Sequence, residues 1–281
     1  MGKFVRELSP ALINRLKNEP LFEKKLKPDM LHKKAVFPAI RNGNMEFYFA
    51  GGGLFNYSEG GFKTHIKYAT IPAADQRSYV AETDLHSIRI IDSFADSYES
   101  IKERCKVYGG IEAEYVSQLY QYSGLSSSEV VLLDTEIALY DDNDKSRIDL
   151  LFYDTAEKQL CFCEAKHFTN GEIWAKEGEK PAVVNQIRRY NDKIASEGTT
   201  ILAQYERYID LFNSIFGTNL PKPETIYPKT GLLVFGYDND QKNKINRLLV
   251  EDGSLENINY YTVGNTKNTN PRTIYKALVK E

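Results

Sequence analysis

The chain contains no run of about 18 consecutive apolar residues, so nothing in it reads as a membrane-spanning helix. The opening MGKFVRELSPALINRL alternates charged with apolar residues and has no secretory h-region. Gly2 lacks the downstream Ser or Thr that N-myristoylation requires. Cysteine is scarce: three residues cannot build a disulfide framework. Cys161 and Cys163 flank Phe162 in an apolar run, without the further ligands a metal site would need. They are read as small buried strand side chains, and the cytoplasm as the compartment. A strong charge of one sign is also missing. A net charge of −3 argues against a surface coated in nucleic acid but leaves room for a local basic cleft. Internal repeats and low-complexity segments are absent as well.

What remains is ordinary globular material, with 42% apolar and 27% charged residues over 281 positions. That length allows one large domain or two modest ones. The 19 tyrosines suit half-buried strand positions and, less often, stacking on bases. Residues 9–34 have a polar helical pattern in which Pro20 and Pro28 are each expected to end a short helix. From Val36 to Tyr68 the pattern turns to short strands separated by the glycines at 51–53 and 60–61, an antiparallel meander that includes a strand from Phe62 to Tyr68. Residues 70–91 are ambiguous. A helix starting at Asp92 stops at Gly109 and Gly110, where a break in composition divides a β-rich domain of unknown role (1–100) from a second domain (101–281). In the second domain Ile111–Tyr122 has helical spacing. Strands are expected at Val130–Tyr140, Arg147–Tyr153 and Gln159–Phe168. A polar loop over 169–181 carries the sole tryptophan, Trp174, which either anchors the loop or stacks on a base. Helices at Val183–Ala195 and 201–216, a proline linker, a strand at Thr230–Tyr237, a helix at Asp240–Val250 and a strand at Ile258–Val263 complete the order. The class is α/β: a mixed sheet with helices on both faces, preceded by an N-terminal β-rich α+β domain.

The chemistry concentrates in two adjacent strands. Asp149 lies in RIDLLFY, and Glu164 and Lys166 in LCFCEAKHF. Side chains alternate along a strand, so Glu164 and Lys166 share a face, and a hairpin would bring Asp149 beside them. Two carboxylates make a hard-oxygen site suited to Mg²⁺, with Mn²⁺ as a substitute. A neighbouring lysine can orient or deprotonate a water and offset charge on a phosphoryl group. Burying such a cluster in mid-strand costs several kcal/mol unless it is compensated, which points to function rather than stability.

These residues resemble the PD-(D/E)XK nuclease superfamily. Asp149 matches its first aspartate, with Ile148 where proline is usual, and Glu164-Ala165-Lys166 matches its (D/E)-X-K tripeptide. The helix from Gly110 resembles the first core helix; Glu114 is the best match for its acidic residue, and Glu112 is the competing choice. Gln186-Ile187-Arg188-Arg189-Tyr190 resembles the Q-x-x-x-Y motif of the RecB-like branch. The similarity covers residues 110 to about 265. It implies a restriction-endonuclease-like fold and metal-dependent hydrolysis of phosphodiester bonds, with DNA as the expected substrate. It implies metal ligation by Asp149, Glu164 and the Ala165 carbonyl with help from Glu114, assistance from Lys166, a supporting Gln186, and a Tyr190 that contacts nucleic acid. Restriction, phage defence or repair would be the setting, and a homodimer or a partner protein stays open. Two other readings are kept: a catalytically silent nucleic-acid-binding or interaction module of the same fold, and an RNA-directed nuclease.

Other residues stand out by their own patterns. Arg188 and Arg189 are candidates for the phosphate backbone. Lys63, His65 and Lys67 alternate as if on one strand, giving either a phosphate-tracking stripe or a solvated face. Glu136 reads as a surface strand residue before an added ligand. His167 points away from the lysine and is expected to pack. Asp141, Asp142 and Asp144 lack the glycine and distal glutamate of a calcium loop and read as an acidic hairpin turn.

Overall fold

The computed structural model describes residues 4–69, 78–85, 93–122, 129–139, 147–175, 179–247, 255 and 257–280. The start of the helix at Asp92, most of the ambiguous stretch at 70–91, the acidic turn at 141–144 and the end of the helix at Val250 lie outside the described residues. The chain divides into two compact units, one of residues 5–124 with 207–219, the other of residues 1–4, 125–206 and 220–281. The division falls after residue 124 rather than at 100, so the helix at Ile111 belongs to the N-terminal unit. Gly109, the first of the two glycines at the expected boundary, serves close approach instead, as does Gly51. A Cβ on Gly109 would stand 2.4 Å from the Ala50 carbonyl oxygen, and one on Gly51 would stand 2.5 Å from Ala113. Glycine lets these backbones touch, which fastens the helix to the N-terminal sheet.

In the N-terminal unit, α1 (Pro10–Asn18) starts on Ser9, whose hydroxyl accepts the Leu12 N–H, and buries Leu12, Ile13 and Leu16. A π-helical turn over Phe22–Leu26 leads into α2 (Lys27–Leu31). Pro28 therefore does not end a helix. The Lys27 N–H reaches back five residues to the Phe22 carbonyl, and the widened turn accommodates a ring that lacks its own N–H. Five strands follow: β1 (Val36–Arg41), β2 (Asn44–Phe49), β3 (Gly52–Ser58), β4 (Gly61–His65) and, after the short α3 (Ile66–Ala69), β5 (Tyr79–Ala81). They pair antiparallel in chain order, the meander expected from their glycine turns. Phe22, Phe47, Tyr57 and Phe62 are buried together on one face. Lys67 is not on the strand. β4 stops at His65, whose Nδ1 accepts the Lys67 N–H at 3.1 Å as the chain turns into α3. Two further helices, α4 (Tyr98–Val107) and α5 (Ile111–Ser117), and residues 207–219 complete this unit.

The C-terminal unit is built on a six-stranded mixed sheet. β6 (Val130–Ile137), β7 (Ile148–Asp154) and β8 (Gln159–His167) form an antiparallel meander; β10 (Gly231–Phe235) runs parallel to β8, and β11 (Tyr260–Val263) parallel to β10. A two-residue β9 (Thr225–Ile226) also pairs with β8. Helices cover both faces. Leu232 and Val234 of β10 pack with Val183 and Ile187 of α6 (Ala182–Phe216), beside Phe168 and Ile173. On the other face, α8 (Pro271–Leu278) lies so close that a Cβ on Gly231 would meet Leu278 at 2.6 Å. The short α7 (Lys242–Asn246) adds Ile245 to the first cluster.

Two helices also differ from the sequence expectation. The helices at Val183–Ala195 and 201–216 are one 35-residue helix, α6, passing through Gly198. An interior glycine costs about 1 kcal/mol, less than the burial of Ile194, Ile201, Tyr205 and Tyr208 along the same helix returns. The C-terminal helix α8 has no counterpart in the sequence expectation. Its signals are Asn270, which caps the Thr273 N–H at 3.0 Å, and Pro271 at the first position. Among the described residues, no helix is long and apolar enough to cross a membrane.

Candidate active site

β8 sets the register of the site. Glu164 pairs with Leu232 and Lys166 with Val234 of β10, so both point toward α6. Lys166 Nζ lies 2.8 Å from Glu164 Oε1. On the other side of β8 the antiparallel ladder with β7 ends at Leu150 opposite Cys163. One residue further, Asp149 takes over with its side chain: Oδ2 accepts the Ala165 N–H at 2.7 Å. A strand residue sends its N–H and C=O to the same edge, so the Ala165 carbonyl also faces the gap in which the Asp149 carboxylate sits.

Burial controls the protonation of this cluster. Glu164 is 1% exposed, and its carboxyl is pushed up to about 7, chiefly by loss of water, against the pull of Lys166. Asp149 is also raised well above the ordinary carboxylate range, by burial and then by the charge of Glu164. Burial pulls the Lys166 ammonium down, but Glu164, Glu172 and Asp149 outweigh it, and it stays charged. Glu164 Oε2 is buried without a hydrogen-bond partner. Two carboxyls crowded against one another, with an oxygen left unsatisfied, make a place that favours an added cation.

Two further acidic residues border the pair. Glu172, in the 3₁₀ turn Gly171–Ile173, reaches Lys166 Nζ with Oε2 at 2.6 Å. Sequence reasoning missed it because the contact crosses a loop with no periodicity; the Asn170 cap, accepting the Glu172 N–H at 2.9 Å, is the local signal that could have marked the turn. Trp174 fastens that loop, with its indole N–H donating to the Phe168 carbonyl at 2.9 Å and its ring edge-on to Phe168. Glu136 takes a left-handed φ of +53° near the end of β6, faces Arg147 at 3.9 Å, and adds to the field that raises Asp149.

Gln186 and Tyr190 sit over this face from α6. Gln186 Nε2 donates to the Tyr190 hydroxyl at 2.8 Å, and that hydroxyl donates to the Arg147 carbonyl at 2.9 Å. Tyr190 is fully buried, which corrects the expectation that it contacts nucleic acid; it braces the chain just before Asp149 instead. Arg188 and Arg189 are exposed on the outer side of the same helix, Arg188 donating to Asn185 Oδ1 at 3.1 Å. His167 packs away from the site against Phe235, with Nδ1 2.8 Å from Thr169 Oγ1. Cys161 and Cys163 are free and buried, Cys161 with its thiol pushed up to about 12 by burial, so neither is a nucleophile.

No protein-family model, curated protein or solved structure matches this chain.

Glu114 is exposed on α5, within the N-terminal unit. Lys63 and Lys67 are exposed in the N-terminal unit too. Among the described residues, no three His, Cys, Asp or Glu side chains are placed to hold a metal ion together. The carboxylate donors beside Lys166 on β7 and β8 are two, Asp149 and Glu164, with the Ala165 carbonyl at the same gap. That set fits Mg²⁺, which prefers oxygen donors and usually keeps several waters and substrate oxygens in its shell. A separate cleft of about 400 Å³, lined by Ile194, Leu202, Ile226 and Pro228 among others, has Glu224 as its one ionisable side chain, already paired with Lys158. It carries no comparable chemistry.

Proposed function

We propose that the C-terminal unit is a metal-dependent nuclease of the restriction-endonuclease-like type, hydrolysing phosphodiester bonds in DNA. The observation that carries this reading is the charged Lys166 ammonium buried against Glu164, beside an Asp149 carboxylate that has replaced a strand partner and a Glu164 oxygen without one. A fold does not need this arrangement for stability. Asp149, Glu164 and the Ala165 carbonyl would hold Mg²⁺ or Mn²⁺. When bound, such an ion polarises a phosphoryl oxygen and makes a water more acidic.

The remaining steps belong to the chain itself. Lys166 places a fixed positive charge where charge grows on the phosphoryl group, and orients the attacking water through its N–H donors. Glu164 and Glu172 hold the lysine from two sides, which fixes its direction. Gln186 and Tyr190 hold the Arg147 carbonyl and so the approach of β7 to Asp149. Glu114 stays outside the proposal.

Plasmid nicking with Mg²⁺ and with Mn²⁺ tests this. Wild type should nick; Asp149→Asn and Lys166→Ala should each lose at least ~100-fold. Nicking that survives both changes overturns the site. A wild type inert on DNA and on a parallel RNA digest favours the silent module; cleavage of RNA alone moves the substrate.

A further inference from the structure

Among the described residues, four large hydrophobic side chains are exposed: Tyr79 at 59%, Val107 at 76%, Tyr108 at 55% and Ile111 at 55%. All four belong to the N-terminal unit, and the two tyrosines close the ends of a continuous row of rings. Tyr79 on β5 pairs in register with His65 on β4, and their rings meet edge-on at 5.4 Å. His65 stands 5.5 Å from Tyr68, and Tyr68 stands 6.0 Å from Tyr108. Lys67 Nζ sits 5.2 Å from the centre of the Tyr108 ring. The row is fixed at its middle, because Tyr68 is buried and His65 Nδ1 accepts the Lys67 N–H. That bond leaves the His65 Nε2 as the protonated, donating nitrogen of a neutral ring. Lys63 and Lys106 are also exposed, one on β4 two residues before His65, the other on α4 two residues before Tyr108.

We propose that this row of rings is a docking platform for a single-stranded nucleic-acid segment. Bases stack on the exposed Tyr79 and Tyr108 rings whatever their identity, and the Lys67 ammonium beside Tyr108 meets a phosphate between them. Charge selects this occupant over an apolar protein surface. An apolar partner covering Tyr108 would strip the Lys67 ammonium of water with nothing offered in return, whereas a phosphate pairs with it. The platform uses residues of the N-terminal unit alone and stands whether or not the C-terminal site cleaves.

Fluorescence anisotropy of the full chain with labelled oligothymidylate, oligouridylate and a duplex, all in EDTA, tests the proposal. Both single strands or one of them should bind more tightly than the duplex, and the preference between them assigns DNA or RNA. Tyr79→Ala and Tyr108→Ala should each weaken binding by roughly 5- to 100-fold, while Tyr79→Phe and Tyr108→Phe keep it. Lys67→Gln should lower the slope of log affinity against log salt by about 0.7. Each side chain is exposed, so the variants should melt as wild type does. Failure of wild type to bind either strand overturns the platform, as does tighter binding to duplex or binding untouched by both alanine changes. A dimer that is lost in the alanine variants, with no nucleic acid bound, also overturns it in favour of a second copy. Because EDTA suppresses cleavage, an inert nuclease site and an absent platform give separate results.

Discussion

Ala165 donates its N–H to Asp149 Oδ2 at 2.7 Å, one residue past the last paired positions of β7 and β8, Leu150 and Cys163. The carboxylate thus stands where a backbone acceptor would otherwise be, and the strand gap and the acid's direction are set by one bond. Asp149→Asn keeps an oxygen for that N–H and should change stability by less than about 1 kcal/mol. Asp149→Ala leaves the amide without an acceptor and should cost about 1–3 kcal/mol. Both should abolish nicking. Urea unfolding beside the plasmid assay checks the pair, and equal stability of the two variants would remove this role of the bond.

Tyr190→Phe separates bracing from stacking. The hydroxyl joins Gln186 to the Arg147 carbonyl, and the ring is out of reach of any ligand. Loss of the hydroxyl should cost about 1 kcal/mol of stability and lower kcat while KM holds. Steady-state kinetics on a labelled oligonucleotide would show this; a raised KM at unchanged kcat would mean that the tyrosine meets substrate after all.

Gly236 makes room for His167. Its φ is +83°, and a Cβ there would lie 2.0 Å from His167 Nε2. Gly236→Ala should therefore destabilise by about 3 kcal/mol, from left-handed strain and overpacking together. In the Gly236→Ala/His167→Ala double variant the overlap is gone, so the two changes should couple by at least ~1 kcal/mol. Strict additivity in guanidinium melts would contradict the contact.

Asp29 predicts an acid dependence in the N-terminal unit. Lys102 Nζ lies 2.5 Å from Oδ2, Lys33 Nζ 2.8 Å from Oδ1, and the Tyr98 hydroxyl donates to Oδ2 at 3.0 Å. Burial raises this carboxyl, but its hydrogen bonds to the two lysines and the Lys102 charge outweigh it and hold it below the usual range. A depressed acid contributes stability above its unfolded pKa of about 3.9 and loses it as pH falls through the lower folded value. Asp29→Asn leaves Lys102 nearly buried with only the more exposed Glu99 at 3.3 Å, and should cost about 3 kcal/mol at neutral pH. The gap to wild type should close as pH falls below about 4. A gap that persists at low pH in urea melts would sink the argument.

The sequence by itself determined what depends on neighbours along the chain. Alternation placed Glu164 and Lys166 on one face, and the spacing of Asp149 from that pair marked a hairpin. Glycine turns drew the N-terminal meander, and four-residue spacing put Gln186 and Tyr190 together on a helix. Tertiary structure alone decided the rest, because it depends on which distant groups exclude water or supply a partner. Packing carried α6 through Gly198, and a π-turn carried a helix through Pro28. Close backbone contact at Gly109 and Gly51 turned an expected boundary into a joint and kept Glu114 in the N-terminal unit. Burial made Tyr190 a brace rather than a stacking surface. A loop contact added Glu172 to Lys166, and the crowding of Asp149 with Glu164 in a dry site raised both acids. The motif named the atoms proposed to carry the chemistry; folding decided their burial, their partners and the gap between two strands.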